Sequence, residues 1–534
     1  MERLEVRNLT IGFGNAPVVR EVSFDVAAGS TTALVGESGS GKSLTALALM
    51  GLLPAGARTQ AGRAAIQPEG QVWLDGSGGM HAPVGRGISM VFQDPMSSLN
   101  PSMRVGWQVA EPMVVHQGLS REEAHERALA LLAEVELPDP AAAFQKYPHA
   151  LSGGQRQRVM IALALAASPQ VLIADEPTTA LDVTVQRSVL DLLQRLQVQR
   201  GLALLFITHD MAVVRDIATE VVVLQGGQVV ESGPVAEVLL RPRHPYTQLL
   251  VAASLAGAGS GRQPVPHEGA PWIEVRGLVK RFPMSGQGRW PWQPRRAFTA
   301  LQGIDWSVWR GERIGLVGES GSGKSTLGRA LIGLLPVDGG TVHIGGKLLD
   351  ARDDAGMQSV RALAQLVFQD PFSALNPRIR VGEALAEVLR NRGVPASEAR
   401  EGARKRLVEV GLRAEDADRF PRSFSGGQRQ RIVIARALAV DPQLLVLDES
   451  VAALDTATQQ AVLALIDRIA AARGLTLVLI SHDLGLVSRF CDRLVVLQAG
   501  QIAEDGPTAQ VVGSPRSEYT RKLWASRPGG RALA

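Results

Sequence analysis

The eight-residue sequence GESGSGKS occurs twice in this 534-residue chain, at 36–43 and again at 318–325. It fits the pattern G-x-x-x-x-G-K-[ST], in which glycines let backbone N–H groups approach phosphate oxygens without hindrance. The N-terminus of the helix expected to follow adds a favourable field for the anion. Lys42 and Lys324 are expected to reach the β- and γ-phosphates of a nucleotide, and Ser43 and Ser325 to ligate Mg²⁺.

The predicted phosphate-binding residues are those of the two loops and the residue that follows each. They are Gly36, Ser38, Gly39, Ser40, Gly41, Lys42, Ser43 and Leu44, and then Gly318, Ser320, Gly321, Ser322, Gly323, Lys324, Ser325 and Thr326. Leu44 stands where the second copy has Thr326, so a hydroxyl contact to the α-phosphate is expected to be missing from the first loop. The alternative, a Gly-rich turn with a solvated lysine, fits poorly because the motif is repeated in a strand–loop–helix context.

Three further motifs follow each loop in the same order. They are LSGGQ at 151–155 and FSGGQ at 424–428, LIADEP at 172–177 and LVLDES at 445–450, and THD at 208–210 and SHD at 481–483. From the SGGQ segment onward the two copies stay in register, 273 residues apart. One phosphate loop alone is shared by many folds, whereas four motifs in fixed order, twice, are not a chance match. Over nearly its whole length the chain resembles the ABC-transporter ATPase family.

The resemblance implies an α/β fold with two tandem ABC-type P-loop NTPase domains. Apolar runs such as VLIA and ALLFIT predict strands buried on both faces of a largely parallel sheet. The Ala/Glu/Leu-rich stretch between Gln93 and Leu151 predicts a helical subdomain in each half. We expect a first domain over 1–252, a small-residue, Pro-containing linker over 253–271, and a second domain over 272–534.

Acidic residues end one apolar strand in each copy. Asp175 and Asp448 are placed to hold the metal through water, and the alternative is a solvated acid at a strand end. By family resemblance, Glu176 and Glu449 polarise the attacking water, since water must be oriented in line with the γ-phosphate. Ser450 replaces the proline found at Pro177, which is expected to alter a turn and not the chemistry.

The resemblance assigns further residues to the two sites. His209 and His482 are expected to contact the γ-phosphate, and Gln93 and Gln369 to join the metal and water network to the helical subdomain. Phe13 and Phe282 are candidates for stacking on adenine, with a purely core role as the alternative.

The SGGQ segments have no obvious use within their own halves. In the family they close on the γ-phosphate of the nucleotide held by the other half, so Lys42 is expected to share a nucleotide with Ser425, and Lys324 with Ser152. The residues concerned are Ser152, Gly153, Gly154 and Gln155, and Ser425, Gly426, Gly427 and Gln428. Both composite sites keep their Lys, Glu and His, so we expect both to bind and hydrolyse ATP with Mg²⁺.

Composition narrows the class of protein. A net charge of +4 over 534 residues is too small to argue for nucleic acid. No apolar run reaches the 18 or so residues of a spanning helix, and the charged N-terminus lacks a signal-peptide core. Cys491 is the only cysteine, so neither an intrachain disulfide nor the iron–sulfur centre of some oligopeptide-importer ATPases can form. We therefore expect a cytosolic chain.

Two features point to one branch of the family. The segments at 94–101 and 370–377 fit DP-[MF]-S-[SA]-LNP, and His244–Thr247 reads HPYT, as in dipeptide and oligopeptide importers. The second half has SEYT at Ser517–Thr520. The fused layout resembles the single-chain ATPases of peptide and microcin C importers, with glutathione, nickel and opine importers as close alternatives.

The predicted importer function implies partners and a cellular location. We expect two integral membrane permeases, an indirect substrate-binding protein outside the membrane, no nucleic acid, and a peripheral position on the cytoplasmic face of the inner membrane. A tandem ABC protein acting on the ribosome is the rival class, disfavoured because its long charged linker is absent here. The basic, Trp-containing segment 283–298 is interpreted as a solvated loop, with permease or lipid contact as the alternative.

Overall fold

A computed structural model describes residues 3–67, 71–74, 84–85, 87–179, 181–255, 269–283, 297–349, 354–368, 370–451 and 454–529. The chain forms two compact units, built largely of residues 1–256 and of residues 257–527. Most of the predicted linker and of the 283–298 segment lies outside the described residues, so the predicted domain limits at 252 and 272 stay predictions.

Ten strands lie in the described residues of the first unit. They are β1 (Arg3–Phe13), β2 (Ala16–Ala27), β3 (Thr31–Val35), β4 (Ala57–Gln67), β5 (Gln71–Leu74), β6 (Ile88–Val91), β7 (Val171–Asp175), β8 (Ala203–Thr208), β9 (Glu220–Gln225) and β10 (Gln228–Pro234). One sheet is antiparallel, in the order β2-β1-β4-β5. The other has six strands in the order β10-β9-β3-β8-β7-β6, parallel except for β10 on β9.

The six-stranded sheet is buried on both faces because its strands are apolar throughout. Along β7, Leu172 and Ala174 join one core cluster, whereas Val171 and Ile173 join another. Successive side chains of a strand point to opposite faces, so a continuous apolar run serves two layers at once. This confirms the buried parallel strands that the sequence predicted.

The helices of the first unit cover the sheet and build a helical subdomain. They are α1 (Lys42–Met50), α2 (Pro95–Ser98), α3 (Val105–Gln117), α4 (Arg121–Glu134), α5 (Pro140–Phe144), α6 (Gly153–Leu165), α7 (Val183–Arg200), α8 (Met211–Ile217), α9 (Val235–Leu240) and α10 (Pro245–Leu255). Helices α2 to α5 fall in the stretch predicted to be helical. Gly106 allows their close packing, because a Cβ there would lie 2.0 Å from Cγ of Phe144.

The second unit repeats this plan. Its strands are β11 (Ile273–Pro283), β12 (Ala297–Val308), β13 (Arg313–Val317), β14 (Gly339–Ile344), β15 (Lys347–Leu348), β16 (Ala364–Val367), β17 (Leu444–Asp448), β18 (Thr476–Ile480), β19 (Arg493–Gln498) and β20 (Gln501–Pro507). The sheets have the orders β12-β11-β14-β15 and β16-β17-β18-β13-β19-β20.

The helices of the second unit broadly correspond to those of the first. They are α11 (Lys324–Leu331), α12 (Asp354–Leu363), α13 (Pro371–Ala374), α14 (Val381–Arg390), α15 (Ala396–Glu409), α16 (Gly426–Leu438), α17 (Thr456–Arg473), α18 (Leu484–Phe490), α19 (Thr508–Gly513) and α20 (Glu518–Ala525). Within the described part of the chain, no helix has both the length and the apolar character that crossing a membrane requires.

Candidate nucleotide-binding and catalytic site

Each phosphate loop runs from the carboxyl end of a central strand into a helix, β3 to α1 and β13 to α11. Gly36 has to be glycine, because a Cβ would lie 2.2 Å from the backbone oxygen of Leu224. Gly41 precedes α1 with φ of 101°, a conformation that residues with a Cβ rarely adopt. Gly318 and Gly323 repeat both features. The repeated glycines therefore serve the tight path of the loop.

The loop lysines are buried and hydrogen-bonded to the loops that carry them. Lys42 Nζ donates to the backbone oxygens of Gly36 and Glu37, at 2.7 and 2.8 Å. Lys324 Nζ makes the same bonds to Gly318 and Glu319. Burial lowers the pKa of Lys42, against the raising effect of Glu176. A phosphate would give this partly desolvated ammonium group the counter-charge that favours its protonated form.

The predicted metal residues meet in pairs. Ser325 Oγ donates to Asp448 Oδ1 at 2.7 Å, and a side-chain hydrogen bond also joins Ser43 to Asp175. Both aspartates are almost completely buried at the ends of β7 and β17, and burial raises the pKa of each. A cation would stabilise these desolvated carboxylates in their charged form.

The residues present fit a magnesium nucleotide. Among the described residues, Ser40 Oγ and Asp175 Oδ1 are buried without a hydrogen-bond partner. Nor do those residues contain a group of three His, Cys, Asp or Glu side chains able to hold a metal. Mg²⁺ usually takes one or two protein oxygens and completes its shell with phosphate and water, and the paired serine and aspartate of each domain can supply such oxygens. When bound, the ion would neutralise charge on the phosphates.

The two predicted catalytic glutamates lie in strained backbone. Glu176 has φ of 45° and Glu449 has φ of 47°, in the left-handed region that residues other than glycine seldom occupy. The Glu176 backbone N–H donates to the oxygen of Ile207 on β8, and Glu449 does the same to Ile480 on β18. Such strain persists only where surrounding contacts over-determine it, and it concentrates at functional sites.

Three side chains hold the Glu176 carboxylate. Gln93 Nε2 donates to Glu176 Oε2 at 2.9 Å, and Thr179 Oγ1 donates to the same oxygen at 3.0 Å. His209 Nδ1 lies 3.1 Å from Oε1. The sequence named Gln93 and His209 as site residues, and their predicted roles towards the metal and the γ-phosphate stay predictions. It missed Thr179, whose only signal is its position three residues after the glutamate.

The Glu176–His209 pair controls the charge of both groups. Burial by itself raises the pKa of Glu176, but the His209 hydrogen bond and charge lower it to about 2. Burial lowers the pKa of His209, but the contact with Glu176 more than offsets this and raises it. Glu176 is thus a firmly ionised carboxylate, suited to orienting water more than to storing a proton.

In the second site the histidine lies farther from the glutamate. His482 Nδ1 lies 3.7 Å from Glu449 Oε1, and the histidine lowers the pKa of Glu449. Gln369 lies outside the described residues. The sequence has Ala452 at the position equivalent to Thr179, so this hydroxyl is absent from the second copy.

One cation near the second site was not predicted. Arg329 on α11 has its Nη2 3.8 Å from Asp448 Oδ2, and the residue at the equivalent position of α1 is Leu47. The arginine lies one helical turn after Ser325, so the i, i+4 spacing of the helix could have suggested it.

The SGGQ segments have a role inside their own domains, contrary to our expectation from sequence. Ser152 Oγ accepts the N–H of Gln155 at 3.3 Å, and Gln155 Oε1 accepts the N–H of Ser152 at 3.0 Å. Ser425 and Gln428 form the same capping box at the start of α16. The segment therefore starts a helix as well as offering its N-terminus to an anion. The proposed contact with the other domain's nucleotide stays a prediction.

The signature glycines also meet a packing demand. A Cβ on Gly154 would lie 2.5 Å from Val185 Cγ1, and one on Gly427 would lie 2.2 Å from Thr458 Cγ2. Only glycine at these positions lets the signature helix approach its neighbour so closely.

The two adenine candidates are not core residues. Phe13 ends β1 with 46% of its surface exposed, and Phe282 is 37% exposed near the end of β11. Lys280 Nζ lies 5.5 Å from the centroid of the Phe282 ring. Exposed aromatic faces are available for stacking, so the adenine role remains our prediction for both.

Sequence comparison decides the family. Residues 19–179 and 301–452 each match the family described as ABC transporter, and 230–270 match the oligopeptide/dipeptide transporter C-terminal region. This chain belongs to the ABC transporter family. It is an ATP-binding, ATP-hydrolysing subunit of that family, with two ATPase domains on one chain and membrane permeases as its implied partners.

Curated relatives match this ABC protein along nearly its whole length. It is 43% identical to the glutathione import ATP-binding protein GsiA of Salmonella typhimurium and 42% identical to that of Escherichia coli. Each alignment covers 98% of this chain and 89% of the relative. A solved dimeric ATP-binding cassette bound to ADP and Pi is 28% identical to this chain, with a TM-score of 0.39. The match covers 44% of this chain and 98% of the solved chain.

Proposed function

We propose that this ABC ATPase drives the import of short peptides and peptide-like compounds, with glutathione, a tripeptide, as the first substrate to test. The full-length similarity to glutathione import ATP-binding proteins carries the proposal. The match at 230–270 to the oligopeptide/dipeptide transporter C-terminal region supports the same branch. A ribosomal role has no comparable support.

ATP binding is proposed to bring the two domains together, and hydrolysis with product release to let them separate. Gln93 ties the carboxylate of Glu176 to the segment that enters the helical subdomain. Asp94 then caps α2 through the N–H of Met96, and Leu99 is buried in the subdomain core. The connection between the nucleotide site and the helical subdomain is short and hydrogen-bonded, so a movement at the nucleotide can be transmitted to the subdomain.

The proposed partners are two permease subunits, each receiving one helical subdomain, and a binding protein on the outer side that contacts only the permeases. Met96 supports a docking surface, because it is 52% exposed although apolar and lies three residues beyond Gln93. The chain is proposed to lie on the cytoplasmic face of the inner membrane as a peripheral subunit. We propose no contact with nucleic acid.

The function is tested by reconstituting the chain with two candidate permeases in proteoliposomes and measuring uptake of labelled glutathione, a dipeptide and Ni²⁺. We expect ATP-dependent uptake of glutathione or the dipeptide, absent in the Glu176→Gln, Glu449→Gln double variant. Uptake of Ni²⁺ alone would contradict the peptide proposal. Failure to form a complex with any permease pair would contradict the importer role itself.

A further inference from the structure

The C-terminal tail of each domain reaches back to its own phosphate loop. In the first domain, the backbone N–H of Glu37 donates to the hydroxyl oxygen of Tyr246 at 2.7 Å. In the second, the N–H of Glu319 donates to the hydroxyl oxygen of Tyr519 at 3.0 Å. Glu37 and Glu319 are the second residues of the two GESGSGKS loops. Both contacts join residues about 200 positions apart in the chain.

We propose that Tyr246 and Tyr519 are positioning residues for ATP, which makes each C-terminal tail a working part of the nucleotide site. The proposal rests on ATP binding by the family and not on the identity of the imported substrate. It assigns a role to the HPYT segment and extends that role to the altered SEYT segment, which the match at 230–270 does not include.

Tyr246 and Lys42 bind opposite sides of Glu37. Tyr246 accepts the N–H of Glu37, while Lys42 Nζ donates to the Glu37 backbone oxygen at 2.8 Å. The peptide groups before and after Glu37 are therefore both fixed. A phosphate loop binds through backbone N–H groups whose directions depend on such peptide planes, so support from behind the loop sets how well they converge on the anion.

Each tyrosine lies in a helix whose start is held by hydrogen bonds to a carboxylate. Glu231 on β10 accepts the backbone N–H groups of Arg243 and His244 just before α10, at 2.9 and 3.0 Å. In the second domain, Glu504 on β20 accepts those of Arg516 and Ser517 at 2.9 and 3.1 Å. A two-pronged carboxylate clamp thus fixes the start of both tail helices.

The tail of the first domain is also packed into a core. Tyr246 and Leu250 are buried in the cluster that contains Ala33 and Val35 of β3, the strand that leads into the phosphate loop. The tyrosine therefore belongs to the same hydrophobic cluster as the strand that leads into the phosphate loop. Burial raises the pKa of Tyr246, so its hydroxyl stays neutral at physiological pH.

The two tails differ at the start of the tail helix and not at the contact with the phosphate loop. His244 Nδ1 accepts the N–H of Tyr246 at 3.2 Å, whereas Ser517 makes no side-chain cap for α20. Loss of His-Pro therefore removes a cap but keeps the clamp and the tyrosine contact. The part common to both tails is the part that touches the phosphate loop.

The test uses the three tyrosines of the chain, two at the loops and Tyr147 elsewhere. Tyr246→Phe and Tyr519→Phe keep the ring and remove the acceptor, and Tyr147→Phe is the matched control. In the full-length chain, the dissociation constant for a fluorescent ATP analogue and the KM for ATP are expected to rise about three- to tenfold, the usual scale for one lost hydrogen bond. The kcat at saturating ATP is expected to stay within about twofold.

Several outcomes would overturn the proposal. ATP affinity unchanged in both phenylalanine variants would remove the positioning role, and so would an equal loss in Tyr147→Phe. A fall in kcat at unchanged KM would indicate fewer folded molecules and not a misplaced loop. If Tyr246→Phe does not fold, Tyr519→Phe decides, since its ring is less buried. Normal ATP affinity and KM in both phenylalanine variants would contradict this role whatever happens to import, whereas failure of the unaltered chain to import any peptide would count only against the proposed substrate.

Discussion

His209 Nδ1 lies 3.1 Å from Glu176 Oε1, and the two residues follow adjacent parallel strands. The carboxylate and the imidazole are 33 positions apart in the chain. The register of β7 with β8 pairs Asp175 with Ile207, so Glu176, one residue later, lies near His209, two residues later. The predicted water-orienting group is thus held in place by the group predicted to contact the γ-phosphate.

The glutamates are expected to carry hydrolysis. Glu176→Gln or Glu449→Gln keeps the shape of the side chain but removes its charge, so turnover at the altered site should fall by about 100-fold or more. ATP should still bind, and the double variant should retain it. Phosphate release and retained radiolabelled ATP measure both effects. Hydrolysis by the double variant at the unaltered rate would show that the assignment is wrong.

The Glu176–His209 pair should make the site pH-dependent in a defined direction. Glu176 has a pKa of about 2, below its ordinary value of 4.5. Its contribution to the free energy of unfolding is therefore complete above pH 4.5 and is lost as the pH falls towards 2. The pKa of His209 is raised above its ordinary value of 6.5. Its contribution to the free energy of unfolding is therefore complete below pH 6.5 and disappears as the pH rises through the raised pKa.

This coupling can be measured on His209 itself. Because Glu176 raises the pKa of His209 against burial, Glu176→Gln should lower that pKa, as followed by NMR of the imidazole protons. Glu449→Gln, the matching change in the other domain, should leave the His209 titration unchanged. A raised pKa that persists in Glu176→Gln would show that another group is responsible.

The predicted sharing of nucleotides between domains can be tested by cysteine pairing. With ATP trapped in the double glutamate variant, Ser152→Cys should cross-link to a cysteine at Ser320 of the opposite loop, and much less to one at Ser38 of its own. Cys491 should not interfere, because it is buried and burial raises the pKa of its thiol. Preferential cross-linking to position 38 would contradict the pairing.

Arg329 is expected to make the two metal sites unequal. Its guanidinium lies 3.8 Å from Asp448 Oδ2 and competes with Mg²⁺ for the same carboxylate charge. Arg329→Leu, which copies Leu47, should lower the Mg²⁺ concentration for half-maximal turnover about two- to fivefold, a small effect because the arginine is half exposed. The measurement is made with Glu176→Gln present, and Arg329→Lys is the control that keeps the charge. Identical Mg²⁺ dependence in Arg329→Leu and the unaltered chain would exclude this competition.

The docking surface is expected at the segments that follow the two glutamines. Bulky charged substitutions at 96–98 or 372–374 should leave ATP binding intact but uncouple hydrolysis from uptake, because these residues lie beyond the phosphate contacts. Leu99 and Leu375 end the same two segments but are left unchanged, because both are buried. Val198→Asp is a matched control for Met96→Asp, since Val198 is also exposed and apolar but lies on α7. ATPase activity and peptide uptake are measured together in the assembled transporter. Fully coupled uptake after charging both segments would rule out the surface.

The chain by itself determined the fold class, the repeat and most of the chemistry. Phosphate loops, strand-end acids and histidines could be predicted because each is a local pattern, a few residues whose spacing fits one turn or one strand end. The helical subdomain and the buried parallel strands followed from composition and periodicity. The strained φ of Glu176 and Glu449 has no such pattern, because it is imposed by neighbouring strands.

Only the tertiary structure decided which distant residues meet. The contacts of Tyr246 with Glu37 and of Arg329 with Asp448 depend on how strands are ordered and helices seated. The capping box of Ser152 and Gln155 is a local pattern, because a serine at the N-cap and a glutamine three residues later are enough to form it. Local hydrogen bonding is encoded by short spacing, whereas long-range contacts arise from packing that no single segment specifies.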